Sequence, residues 1–224
     1  SPPFKVESAR PLSAPERLLQ HELIESAQSL YRKDLPRSIE LLEMALKRQP
    51  DDARIHYRLG HCYLERGDVR RSQHHFKMAL VEDVCPLRIL PEMRLFLEQF
   101  AEEKDVAYLD LQSILMTLSR SAIAGSEILV DHVHPTIRGH QLIGEHVAAT
   151  VAMNFLEDKL PSGVWRTHRS TAYQDHLNRL PELYFAHGES RLRNLRIWAA
   201  GRADGPPIER HQTIDEARRQ TEAK

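Results

Sequence analysis

Asp131 and His134 are the residues whose types and spacing can do chemistry in this chain. An aspartate three positions ahead of a histidine, on a loop at the mouth of a helix, can receive one imidazole N–H on its carboxylate. That contact fixes the tautomer and leaves the other ring nitrogen free to take a proton from a nucleophile. Pro135 restrains the backbone after the base, Thr136 is placed to cap the next helix, and Gly139 allows that helix to pack closely. The same spacing supports a structural reading, in which Asp131 caps the turn and His134 only packs beside it. A third chemistry starts from His132-x-His134. On an extended segment, residues two apart face one side, so these rings with Asp131, His140 and His146 are candidate ligands for a divalent metal. Thirteen histidines are scattered along the chain, including His74 and His75 on what reads as a solvated helix face. Chance proximity therefore accounts for the cluster, and neither a metal nor a cofactor is expected.

The elements around this motif follow αβ grammar. Met93 to Glu103 reads as an amphipathic helix carrying Met93, Phe96, Leu97 and Phe100. Lys104-Asp105 then turns into Val106-Ala107-Tyr108-Leu109-Asp110-Leu111, a short strand candidate. A helix over about 112–119, a loop around Gly125 and the segment Ile128–Val130 lead to the motif. Behind it, Ile137 to Phe155 has helical spacing.

Upstream the chain repeats itself. Residues 1–15 hold four prolines without periodicity and read as a linker. Helices are expected over Leu18–Leu30, with Lys33–Pro36 as the break, and over Ile39–Leu46, closed by Gln49-Pro50-Asp51-Asp52. Asp52 is placed to cap a third helix from Ala53, and Gly67-Asp68 separates that helix from a fourth bearing Phe76, Ala79 and Leu80. Ser38 and Ser72, and Ala45 and Ala79, stand 34 residues apart. With Leu59, Gly60, Tyr63, Gly67, Phe76 and Ala79, residues 16–85 resemble tetratricopeptide repeats, a good second unit after a degenerate first. The resemblance implies stacked helical hairpins and a possible peptide or protein partner on them. Any helical hairpin pair is the plainer alternative.

The motif has its own resemblance. Val130-Asp131-His132-Val133-His134-Pro135-Thr136, continued by Gly139, His140, Leu142 and Ile143, is similar to the last block of the GDSL/SGNH hydrolase family. Val106–Leu111 with Asp110 resembles that family's penultimate strand. The resemblance covers about residues 86–157. It implies the C-terminal αβ portion of a flavodoxin-like α/β/α domain, ester hydrolysis or acyl transfer with His134 as general base and Asp131 as its orienter, and a small-molecule or acyl ester substrate. The family's Gly-Asp-Ser nucleophile block is absent, and Ser113, Ser119, Ser121 and Ser126 lack its surroundings. The expected fold is thus mainly α: helical hairpins, the αβ portion, a helical extension over 158–204, and a charged tail over 205–224. The chain by itself is expected to be inactive, either as part of a hydrolase or as a binding module with a hydrolase remnant.

Composition narrows the remainder. The 224 residues hold 31 Lys+Arg against 32 Asp+Glu, so no net field favours nucleic acid or an anionic membrane. No apolar run reaches the roughly 18–20 residues of a membrane helix. Cys62 reads as a buried small hydrophobe, with a bridge to Cys85 as the alternative. In the C-terminal stretch, helices are expected over about 171–186 and 189–200. Trp165, Tyr173, Tyr184, Phe185 and Trp198 are expected to form core there, and Arg191, Arg193 and Arg196 a solvated basic face.

Overall fold

Helices dominate because apolar side chains recur at helical spacing through most of the chain. The structure is a computed structural model that describes residues 2–6, 10–119, 121–155 and 164–203. The helices are α1 Ala14–Leu30, α2 Leu35–Arg48, α3 Ala53–Glu65, α4 Val69–Val81, α5 Pro91–Glu103, α6 Leu111–Thr117, α7 Ile137–Phe155, α8 Val164–Arg179 and α9 Glu182–Ala203. The described residues fall into two compact units, one running to Arg94 and one from Leu95 to Trp198.

The first unit pairs α1 with α2 and α3 with α4, and joins the pairs through α2 and α3. Each start is dictated locally. Ser13 and Glu16 form a capping box on α1, and Pro36 sits in the first turn of α2. Asp52 accepts N–H bonds from Arg54 and Ile55 at 2.9 and 3.3 Å. Asp34 and Asp68 cap α2 and α4 by accepting from Arg37 N and Arg71 N, each at 3.1 Å. Gly67 ends the α3 connection at φ +81°, a conformation other residues adopt only with strain.

The 34-residue period is therefore physical. Beyond the paired caps, Ser38 Oγ donates to Ala27 O and Ser72 Oγ to Gly60 O, both at 2.8 Å, so each serine ties the second helix of its pair to the first. Ala45 and Ala79 are both buried. At the α3–α4 contact, Gly60 lies so close to the Phe76 ring that a β-carbon would stand 2.8 Å from it. Leu23, Ile24, Ala27, Ile39, Leu42, Ile55, Leu59, Cys62 and Tyr63 form one continuous core. Both cysteines are free; Cys62 is buried as a small apolar group, and burial pushes its thiol up.

The N-terminal residues do more than a linker would. Phe4 and Leu12 are buried, and the Asp83 carboxylate accepts N–H bonds from Phe4 at 2.7 Å, Lys5 at 3.0 Å and Cys85 at 3.1 Å. Helical periodicity misses them because they pack outside any helix.

The second unit is built differently. Its buried apolar side chains among the described residues are Ala101, Leu115, Ile128 and Ala152. Phe96, Phe100, Val147, Val151, Met153 and Phe155 are exposed. The expected strand over 106–111 does not form. Residues 106–110 enter no ladder, and Leu111 opens α6, where Asp110 is the N-cap, accepting from Ser113 N at 3.1 Å and Ser113 Oγ at 2.5 Å. A strand exists only through a neighbour that satisfies its N–H and C=O groups, and none lies beside Val106, which is 57% exposed. Among the described residues there are no strands, and the single bridge pairs Leu129 with Pro135.

The C-terminal helices also differ from expectation. The break falls at Leu180-Pro181, between α8 and α9. Pro181 removes a backbone donor and opens α9. Tyr184 and Phe185, expected as core, are 59% and 38% exposed, whereas Arg191 and Arg193 are exposed as a basic face requires. The side chains of Trp165, Arg196 and Trp198, and the tail over 205–224, lie outside the described residues. No described helix is long and apolar enough to cross a membrane.

Candidate active site

The loop before α7 places Asp131 and His134 by a short run of backbone pairings. Val130 N donates to His134 O and Thr136 N to Ile128 O, each at 2.8 Å, and these bonds flank the Leu129–Pro135 bridge. Asp131, His132 and Val133 thus form the tip of a small hairpin. Below it, Ile128 is 1% exposed and anchors one arm.

Helix α7 locks the base of this hairpin. Thr136 Oγ1 accepts from Gly139 N at 3.0 Å, the capping contact expected of it, and donates to Glu127 O at 3.2 Å. Gly139 is needed for closeness: a β-carbon there would lie 2.4 Å from Ile128 O and 2.9 Å from Pro135 Cβ. Any side chain at Gly139 would push the helix off the hairpin or the hairpin off the helix.

At the tip, one carboxylate does three jobs. Asp131 Oδ1 accepts from Val133 N at 2.9 Å and His134 N at 2.8 Å, which fixes the turn. Its other oxygen, Oδ2, lies 2.7 Å from His134 Nδ1. Partial burial pushes the Asp131 carboxyl up, but the two backbone N–H groups and the imidazole outweigh it and hold it below the usual carboxylate range. Asp131 is therefore ionised at neutral pH and can only accept. Nδ1 must carry the proton of that bond, and in the neutral ring Nε2 is left as a bare base.

Exposure separates the two partners. The Asp131 side chain is 11% exposed and that of His134 is 66% exposed. The carboxylate is set into the protein and the imidazole faces outward. Such an arrangement can accept a proton from an approaching hydroxyl and return it to a leaving group.

The structure brings together the two residues singled out by the sequence, and it gives Asp131 the capping role as well. The catalytic and structural readings are therefore compatible. Among the described residues, no hydroxyl is hydrogen-bonded to the open imidazole nitrogen. Ser113 is engaged at the α6 cap, and Ser119 is buried, with its hydroxyl on Leu115 O at 2.9 Å. His140 Nδ1 meets Thr136 O at 3.0 Å, a contact within the first turn of α7. Among the described residues, no group of three or more His, Cys, Asp or Glu is arranged to hold a metal ion.

Sequence reasoning missed one cluster. His75, assigned to a solvated face, stacks on Tyr63 with ring centroids 5.3 Å apart, and its Nδ1 lies 3.0 Å from Nδ1 of His56. Their alignment depends on how α3 meets α4, which no local pattern records.

Comparison with protein-family models, curated proteins and solved structures finds no match to this chain. The site must be read from its own geometry.

Proposed function

We propose that this chain carries the general-base half of a serine ester hydrolase of SGNH type, acting on an ester or acyl-group donor. The observation that carries the reading is the 2.7 Å contact between Asp131 Oδ2 and His134 Nδ1, with the opposite face of the ring open. His134 takes the proton of a serine hydroxyl as that oxygen attacks the ester carbonyl, then returns it to the leaving alcohol. Asp131 holds the tautomer and stabilises the imidazolium between the two steps.

None of Ser113, Ser119, Ser121 and Ser126 has the surroundings of that family's nucleophile, so the base is assigned here without its serine and oxyanion donors. This assignment also accounts for the second unit's sparse core. Helices α5 and α7 and the unpaired segment over 106–109 have the apolar exposure of an αβ layer separated from its sheet. A sheet neighbour beside Val106–Leu109 would convert that segment into the strand its composition favours.

Two assays on the intact chain test the reading. A fluorophosphonate probe is expected to label no serine, with ester turnover at buffer level. Diethyl pyrocarbonate is expected to modify His134 at Nε2, and more slowly in Asp131→Ala. Robust turnover lost in His134→Ala would place the nucleophile inside this chain, and modification indifferent to Asp131 would remove its orienting role.

A second reading, a peptide-binding module on tetratricopeptide-like helices, is favoured by a cavity of about 530 Å³ in the first unit. Arg17, Arg54 and Arg58 line it, with Glu25 and Asp52 as acidic counterparts. Peptide binding lost in Arg58→Ala but retained in His134→Ala would support this module.

A further inference from the structure

The histidine pair between α3 and α4 lies outside the active-site hairpin, and its hydrogen bonds allow only one arrangement of protons. His56 Nε2 is 3.0 Å from Pro50 O, and a carbonyl can only accept, so Nε2 carries a proton. In a neutral ring, His56 Nδ1 is then bare. It lies 3.0 Å from His75 Nδ1, so His75 must donate there, leaving its own Nε2 bare. The chain thus joins the turn before α3, α3 itself and α4 through two neutral imidazoles of defined tautomer.

We infer that the His56–His75 pair is an acid-sensitive clasp, which holds α4 to α3 and to the Pro50 turn and opens when both rings are protonated. The first proton has a place to go, the bare Nε2 of His75, and both hydrogen bonds survive it. The second must go to His56 Nδ1, where two N–H groups would face each other across 3.0 Å. That arrangement cannot persist, and the rings separate.

The surroundings set the range. His56 is 5% exposed. Burial lowers its proton affinity and nearby His74 adds to this, while the Pro50 carbonyl, Glu82 and Asp52 work the other way. His75 faces His56, His74 and Arg71, with Glu43 as the opposing acid. Burial first, then the positive charge that His56, His74 and Arg71 carry or can take up, brings it down to about 4. Tyr63 lies beneath the His75 ring and donates its hydroxyl to Glu43 at 2.5 Å, which occupies one oxygen of that opposing carboxylate. Both rings favour the neutral form in the folded chain. For His75 that contribution is complete above about 6.5, the unfolded value, and is lost as the pH falls from there towards about 4, and His56 works in the same direction.

Hydrogen exchange on the full chain between pH 6.5 and 4.5 tests the clasp, with protection factors corrected for intrinsic rates. Protection in α3 and α4 is expected to fall by at least about tenfold, the factor that one unit of pKa displacement carries. His75→Phe keeps a ring on Tyr63 and removes one of the two titrating partners, so its protection is expected to fall clearly less than the wild type's across the same window, the remainder belonging to the buried His56 and His61. Constant protection in the wild type, or an equal fall in His75→Phe, would overturn the clasp. Should His75→Phe not fold, ring nitrogen spectra of the wild type at pH 6.5 decide. They are expected to show Nε2–H on His56 and Nδ1–H on His75, and any other tautomer pair refutes the proposal.

Discussion

Replacing Gly60 with alanine sets two effects of known size against each other. An alanine in a helix interior is favoured over glycine by up to about 1 kcal/mol, because glycine gives up more backbone freedom on folding. Against this, the new methyl would stand 2.8 Å from two carbons of the Phe76 ring, inside any normal contact. That ring cannot swing aside cheaply. It is packed edge-on between Tyr57 and His61, with centroids at 5.7 and 5.0 Å. Overpacking of a filled contact costs roughly 1–3 kcal/mol, so the expected net effect is destabilisation by about 1 kcal/mol. For a unit of this size that is a drop of roughly 4–8 °C in Tm. Scanning calorimetry reads it, with Leu59→Ala identifying the transition of the first unit, since Leu59 is wholly buried there. The decisive control is Phe76→Leu. In that background the obstruction is gone, and Gly60→Ala is expected to change sign and stabilise. A stabilising Gly60→Ala in the wild-type background would refute the close approach of α3 and α4.

Two further substitutions probe the ends of the argument. Gly139→Ala places a methyl 2.4 Å from Ile128 O, so the hairpin over Asp131–Val133 is expected to shift from α7 and the His134 Nδ1–H signal to be lost; an unchanged signal would contradict the tight fit. Asp83→Ala removes a carboxylate that accepts three backbone N–H groups. It is expected to cost about 2–3 kcal/mol and to abolish exchange protection at Phe4 and Lys5, which protection surviving the change would disprove.

What could be read in the sequence was whatever local chemistry decides. Pro36, Asp52 and the Gly67-Asp68 pair mark breaks because each acts on its own backbone, and the helices begin and end beside them. Asp131 and His134 were legible for the same reason, being three residues apart on one turn. Contacts across elements were not. Val106–Leu111 has the composition of a strand, but a strand needs a neighbour, and none lies beside it here. His75, beside His74, reads as part of a solvated helix face, yet α4 turns it onto Tyr63 and His56. Phe4 and Leu12 sit among prolines and still find the first unit's interior. The clustered aromatics Tyr184 and Phe185 looked like core and remain exposed.

The central claim is that Asp131 holds His134 as a base with an open Nε2. Long-range proton–nitrogen correlation spectra of the His134 ring at neutral pH test it most directly. The Nδ1–H tautomer with a bare Nε2 is expected, with loss of that preference in Asp131→Ala. A proton resident on Nε2, or a tautomer indifferent to Asp131, would contradict it.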